Sequence, residues 1–249
     1  MTRAVFTGVA ASPGVGIGRA LRLAGVLSEG SVAGSEVGFA ASGDTSLEGA
    51  RLQDAIEATA AELTALAART ASSAGMDVAA ILEAQAVIAR DPAIVAPALE
   101  SVCSGAAADE ALLAAANRQS EKLAALDDPY FQARAADVLD VARRIARRIT
   151  GRQVTDPRHA DGTPAVLIAD DLGPSETASL RPELVAGIAL AGGTVVGHAA
   201  IIARALELPL VLDLGAGVLH VAPDAVVLVH GSSGRVVVDP DDDEIRARR

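Results

Sequence analysis

Ala191-Gly192-Gly193-Thr194-Val195-Val196-Gly197-His198-Ala199-Ala200-Ile201-Ile202-Ala203-Arg204 is the stretch that decides how this chain is read. An apolar run over 184–190 ends in paired glycines, and a second run, of helical composition, opens at His198. The order predicted is strand, glycine-bearing loop, helix. A unit of that kind, buried on both faces, belongs to a layered α/β fold. An imidazole stands at the junction. A helix start offers unpaired N–H groups and a positive dipole end, which suits a phosphate. The same place disfavours the imidazolium and keeps the ring a neutral nucleophile. An imidazole there can take a phosphoryl group, and the neighbouring glycines let the backbone approach closely. A hydroxyl against the ring would orient it. Thr177, in Gly173-Pro174-Ser175-Glu176-Thr177, is the candidate. The same spacing also describes a histidine packed at a helix cap, and spacing alone does not choose between the two.

Working outward, residues 165–169 read as a strand, 174–180 as a short helix or turn, and 209–214, 225–229 and 235–238 as further strands. Residues 5–23 read as short strands with a turn at Ser12-Pro13-Gly14. Gly14, Gly16 and Gly18 alternate there. The spacing is not that of a dinucleotide fingerprint and no long helix follows, so close packing between strands is favoured over a phosphate cradle. Residues 28–45 are Gly/Ser-rich and read as a linker.

The period then turns helical. Leu52, Ile56, Leu63 and Leu66 mark one helix, and a break follows at Ser72-Ser73-Ala74-Gly75. Val78, Ile81, Leu82, Gln85 and Ile88 mark a second, interrupted by Asp91-Pro92. A third runs from about Asp109 with Leu112, Leu113, Ala116, Leu123 and Leu126 on one face. A fourth has Asp128 to cap it, Pro129 in its first turn and Gly151 past its end. Its buried stripe is expected to be Phe131, Ala135, Val138, Leu139, Ala142, Ile145 and Ile149. Arg143, Arg144, Arg147 and Arg148 read as a solvated helix end. The chain is thus strand-rich, then helical, then strand-rich again, which predicts a helical insertion in an α/β domain made from both ends.

Hydrophobic residues make up 51% of the 249 and aromatics 2%, with no Trp, so the core must be aliphatic. The net charge of −11 argues against nucleic acid as a partner and for a basic or neutral one. Cys103 is the sole cysteine, so no intrachain disulfide forms, which fits a reducing, cytoplasmic setting. The N-terminus lacks the apolar stretch of a signal peptide. The apolar run 185–203 has the length of a membrane span, but Gly192-Gly193 within it and Arg204, Glu207 and Pro209 after it argue against stable insertion. His159, His220 and His230 are not spaced as metal pairs, so no metal site is expected. Neither a Gly-x-Ser-x-Gly elbow nor a P-loop is present.

Several motifs, in order, resemble the N-terminal half of enzyme I, the phosphoenolpyruvate–protein phosphotransferase of the bacterial sugar phosphotransferase system. They are Gly8-Val9-Ala10-Ala11-Ser12-Pro13-Gly14, Ile81-Leu82-Glu83-Ala84-Gln85 with Asp91-Pro92, and Asp127-Asp128-Pro129-Tyr130 with Arg134-Ala135-Ala136-Asp137-Val138. Asp170 to Thr177 and Ala203-Arg204-Ala205-Leu206-Glu207-Leu208-Pro209 complete the set. The resemblance implies an α/β plus all-α protein, a swivelling phosphohistidine α/β domain with an inserted four-helix domain. The α/β part would comprise 1–27 and 146–240, the helical part 28–145, and the start of a linker 241–249. It implies a phosphotransferase in which His198 carries phosphate between phosphoenolpyruvate and the phosphocarrier HPr, with Thr177 contacting the imidazole and Nε2 reacting. Gly193, Thr194 and Gly197 would form the phosphate loop. Glu83, Val87, Ile88, Asp91, Leu123, Tyr130 and Arg134 would form the HPr-binding surface.

Before its histidine the family usually reads Gly-Gly-Arg-Thr-Ser. Here Gly193-Thr194-Val195-Val196-Gly197 stands in that place, so the second glycine, the arginine and the Thr-Ser pair are replaced. That change admits a catalytically weakened HPr-binding module as an alternative reading. The phosphohistidine domain of another phosphoenolpyruvate-using enzyme, such as a dikinase, is a further one. In the family a barrel domain follows, which binds phosphoenolpyruvate and magnesium and forms the dimer. The sequence is therefore expected to be a truncated piece, monomeric, with no cofactor of its own and able alone only to exchange phosphate with HPr.

Overall fold

The computed structural model describes residues 3–23, 44–73, 75–151, 162–195 and 197–246. In chain order the elements are β1 (Ala4–Thr7), β2 (Val9–Ser12), β3 (Val15–Arg22), α1 (Thr45–Ser73), α2 (Met76–Ile88), α3 (Pro92–Cys103), α4 (Ala108–Ala124) and α5 (Pro129–Ile149). Then follow β4 (Ala165–Ala169), α6 (Pro174–Ala178), β5 (Val185–Leu190), α7 (His198–Ala205), β6 (Leu210–Leu212), β7 (Val226–His230), β8 (Arg235–Val238) and α8 (Asp242–Arg246). The chain divides into two compact units. One comprises Met1–Leu27, Ser73–Val78 and Thr155–Arg249, the other Ser28–Ser72 and Ala79–Val154. Most of the linker read over 28–45, the loop around His159, and Val196 lie outside the described residues.

The α/β unit is built on one mixed sheet of order β1-β8-β7-β3-β4-β5-β6-β2. β3 is the hinge of this topology: it pairs parallel with β4 and antiparallel with β7. The two ends of the chain therefore do pair, which periodicity could not establish. β1 and β2 stand at opposite ends of the strand order yet are separated in sequence by Gly8 alone. The sheet curls until its ends meet at that glycine. A Cβ on Gly8 would lie 2.1 Å from the Leu212 carbonyl oxygen, so no larger residue fits.

Alternation along the strands splits the aliphatic residues between two cores. Ala165, Leu167 and Ala169 of β4 pack with Leu190, Ala200, Ala203 and Leu210. Val166 and Ile168 face the other way, onto Val211, Val227, Val229 and Val236. The glycines of β3 serve packing: a Cβ on Gly16 would fall 1.7 Å from the Ala186 carbonyl oxygen. The apolar run 185–203 resolves into β5, a loop and α7, and no helix among the described residues is long and apolar enough to cross a membrane.

In the helical unit Leu52, Ile56 and Ala60 of α1, Ile94, Ala98 and Val102 of α3, Ala111, Leu112 and Ala115 of α4, and Val138, Val141 and Ile145 of α5 share one core. The many alanines let the helices approach closely. Asp91-Pro92 proves to be a fresh start rather than an interruption. The Asp91 carboxylate accepts from the Ala93 N–H at 2.9 Å and Pro92 opens α3. Phe131, expected on a buried stripe, is exposed, as is Leu126 just past the end of α4, and Val141 is buried in the helical core. Arg144 and Arg148 are not simply solvated; both grip Glu62 of α1, Arg144 at 2.7 Å. The helical part expected to end at 145 extends further: α5 runs to Ile149, whose carbonyl accepts from Arg51 of α1 at 3.1 Å. The segment expected to begin a linker contains α8, capped by Asp241, with Glu244 paired to Arg3 at 2.6 Å.

Candidate functional site

His198 is the first residue of α7 and is half-buried. Gly197 is the N-cap, with φ −67° and ψ 157°, and no side chain caps the helix start. The Ala200 and Ile201 N–H groups both turn to the Gly197 carbonyl, at 3.1 and 3.2 Å. The loop before it is braced at each end. The Ala191 and Gly192 N–H groups donate to the carbonyls of Ala169 and Asp170, both at 2.9 Å. Gly193 has φ +95°, a left-handed conformation that glycine reaches without strain. The Gly197 N–H closes a turn onto the Thr194 carbonyl at 2.9 Å. A Cβ built on Gly197 would lie 3.2 Å from Thr194 Oγ1, so the threonine brings a hydroxyl to the N-cap.

Thr177 lies on α6, which packs against α7. Its side chain is buried and its hydroxyl donates to the Gly173 carbonyl at 2.9 Å. α6 is held by Glu176, whose carboxylate accepts from the Gly173 N–H at 3.1 Å. With its proton committed to Gly173, the Thr177 oxygen can act toward a neighbour only as an acceptor.

α7 also carries Arg204, whose Nε donates to the Ala11 carbonyl of β2 at 2.6 Å and whose Nη2 donates to the Val195 carbonyl at 2.7 Å. In the sequence this residue stood only as a charge after the apolar run 185–203 and as part of the motif from Ala203 to Pro209.

In the helical unit Glu83, Val87, Ile88 and Asp91 come together. With Thr64, Ala86, Arg90 and Pro92 they line a groove of about 580 Å³. Val87 is 73% exposed, the most open large apolar side chain of the chain's described residues. Ile88 packs partly on the helical core and Asp91 is engaged as the α3 cap. Arg90, which the sequence reading passed over, forms a fork with Glu57 at 2.6 to 3.1 Å. That pairing holds the Glu57 carboxyl below its ordinary range, chiefly through the hydrogen bonds from Arg90. Leu123, Tyr130 and Arg134 do not line this groove. Leu123 is half-buried against the helical core. Tyr130 and Arg134 make a separate cluster at the start of α5, with the guanidinium 5.5 Å from the ring centroid and 3.2 Å from the phenol oxygen. Phe131 meets Tyr130 edge-on, with centroids 5.3 Å apart.

Among the described residues no group of three or more His, Cys, Asp or Glu side chains stands together as a metal site would require.

Residues 7–134 match the family described as PEP-utilising enzyme, N-terminal, and residues 162–234 match PEP-utilising enzyme, mobile domain. A phosphoenolpyruvate-protein phosphotransferase of Mycoplasma capricolum is 36% identical over 240 residues, covering 96% of this chain and 40% of that protein. A multiphosphoryl transfer protein of Xanthomonas campestris is 33% identical over 248 residues, covering 98% of this chain and 28% of that protein. The chain therefore spans well under half the length of these relatives. An NMR structure of enzyme I superposes with a TM-score of 0.68 at 28% identity, covering 98% of this chain and 96% of that one. The N-terminal domain of a second enzyme I, designated Nitrogen, gives the same score at 27% identity and covers 97% of each. The chain belongs to the PEP-utilising enzymes, spanning their N-terminal and mobile-domain regions, and its likeness within them is to the N-terminal part of enzyme I.

Proposed function

We propose that this chain is the phosphoryl-carrying segment of an enzyme I, with His198 as the carrier and the helical unit as the dock for HPr. The observation that carries the reading is the position of His198, half-buried at the first residue of α7, in the mobile-domain match, at a helix start that no side-chain hydrogen bond caps. In the exchange with phosphorylated HPr, the Nε2 lone pair of neutral His198 attacks phosphorus. A P–N bond forms here as the bond from phosphorus to the donor breaks, and the donor keeps that electron pair. Thr177 Oγ1 accepts the Nδ1–H and so fixes the tautomer that leaves Nε2 free to attack. The phosphate oxygens meet the N–H groups of the α7 start and the Thr194 hydroxyl. Phosphoenolpyruvate would donate in the longer protein, its enolate oxygen taking the place of the donor nitrogen.

Docking is assigned to the groove of Glu83, Val87, Ile88 and Asp91, where an exposed valine is rimmed by polar groups in the manner of an interface centre. Leu123, Tyr130 and Arg134 would extend that contact. The test is to mix the chain with ³²P-labelled phospho-HPr and follow acid-labile phosphate. Wild type is expected to take label and His198→Ala to take none. Equal labelling of both would remove His198 from the reaction, and tight HPr binding without any exchange would leave a docking module.

A further inference from the structure

We infer that Arg204 is a positioning residue for His198, a brace that fixes the loop and helix presenting the imidazole; the inference rests on the carrier reading above. The guanidinium leaves the last turn of α7 and reaches back toward the start of the same helix. It spans two carbonyls that belong to different parts of the fold, Val195 in the loop at 2.7 Å and Ala11 in β2 at 2.6 Å. Loop, helix and sheet strand are thus tied at one point. A dipole role does not account for this geometry, because both acceptors lie outside the C-terminal turn of α7. Nor does simple surface solvation, since both bonds are short and charge-assisted. Arginine suits the task because its planar fork presents donors in two directions at once, which a lysine ammonium on a flexible stem does not.

The consequence for chemistry follows from the loop's own composition. Gly192 is tied through its backbone to Asp170 and Asp213, but beyond it Gly193 and Gly197 bring no side chain of their own to anchor the loop. The turn closed by Thr194 fixes the loop only to itself. Without the guanidinium, the Thr194–Gly197 turn and the imidazole that follows can shift relative to β2. A displacement of about 1 Å is enough to cost a reaction its near-attack geometry.

The experiment compares the full chain with Arg204→Met and Arg204→Lys. It reads three quantities: the single-turnover rate of phosphate transfer from labelled phospho-HPr, the HPr Kd, and amide hydrogen exchange. For Arg204→Met the transfer rate is expected to fall by about tenfold to a hundredfold. The Kd should stay within about twofold, since docking lies on the helical unit. Exchange should accelerate in 192–198 and stay unchanged in β4 and β5. Arg204→Lys should recover part of the rate, and guanidinium ion added to Arg204→Met should restore some of it. A methionine variant that transfers as fast as wild type overturns the inference. So does one that loses protection throughout the sheet, unless the lysine variant keeps the sheet protected and still loosens 192–198. Wild type that takes no label would instead refute the carrier reading itself, whatever the exchange data show.

Discussion

Glu48 caps a helix that begins 60 residues further on: its Oε2 accepts from the Ala108 N–H at 3.0 Å. Ala107, the N-cap of α4, has no side chain able to do so. Glu48 is buried, and its other oxygen meets Arg51 at 2.7 Å. Arg51 in turn donates to the Ile149 carbonyl at the end of α5. One carboxylate therefore ties α1 to α4 and, through Arg51, to the last turn of α5. Glu48→Ala removes a cap and takes the carboxylate away from the partly buried Arg51 guanidinium. It is expected to cost about 2–4 kcal/mol in urea unfolding, with Glu48→Gln milder because its carbonyl can still accept. Equal and small losses for both variants would show that the α4 start is satisfied without Glu48.

Two glycines give predictions of opposite sign. Gly16→Ala pushes a methyl into the Ala186 carbonyl, 1.7 Å away, and both partners are sheet backbone. It is expected to destabilise by about 2–3 kcal/mol. Gly49 is helical, in α1, and a Cβ there meets nothing within 4 Å. Gly49→Ala is expected to stabilise by about 0.5–1 kcal/mol. Denaturant midpoints of the two variants should move in opposite directions.

Glu62 gives a pH dependence. Partial burial pushes its carboxyl up, but the charge and hydrogen bonds of Arg144 and Arg148 outweigh this and hold it below the ordinary glutamate range. A carboxylate depressed in the folded state contributes stability above its unfolded pKa, about 4.3, and loses it as pH falls through the folded value. The group is 42% exposed, so screening limits the contribution to under about 1 kcal/mol. Glu62→Gln should therefore be slightly less stable than wild type at pH 7. The gap should close as the pH is lowered through the acid range. A gap that persists at pH 2 would mean packing, not charge, sets the difference.

Val87 is expected to matter to the partner and not to the fold. Val87→Asp should weaken HPr binding by at least about tenfold, near 1.4 kcal/mol. The thermal midpoint should hold, since the side chain is 73% exposed. Isothermal titration with HPr and a melting curve check both halves. An unchanged Kd would move the dock away from this groove.

The strands were legible because their residues alternate or run apolar between strong turn signals: 165–169 and 235–238 in the sequence correspond to β4 and β8. The α5 start was legible because Asp128 accepts from the Tyr130 N–H at 2.8 Å, the bond its position promised. α3 was not, because Pro92 and Pro97 argue against a helix unless Asp91 is seen to cap it. Sheet order was illegible for another reason. The partners of β3 lie far along the chain, and no local pattern encodes them. At the site, the His198 loop and the start of α7 could be read from composition. The Arg204 brace could not, since Ala11 is 193 residues away in sequence. Phe131 was misplaced because a helix period fixes a face and not the depth of cover at its end.

The place of β3 between β4 and β7 has a consequence for biosynthesis. Both neighbours are translated after the whole helical unit, so the nascent strand leaves the ribosome on the order of ten seconds before either can pair with it. For that interval a β-forming segment waits with bare edges, a state that invites self-association. Gly16, Gly18, Arg19 and Arg22 lie within that segment. The glycines that permit close packing in the finished sheet also weaken premature pairing, and the arginines keep like segments apart by repulsion.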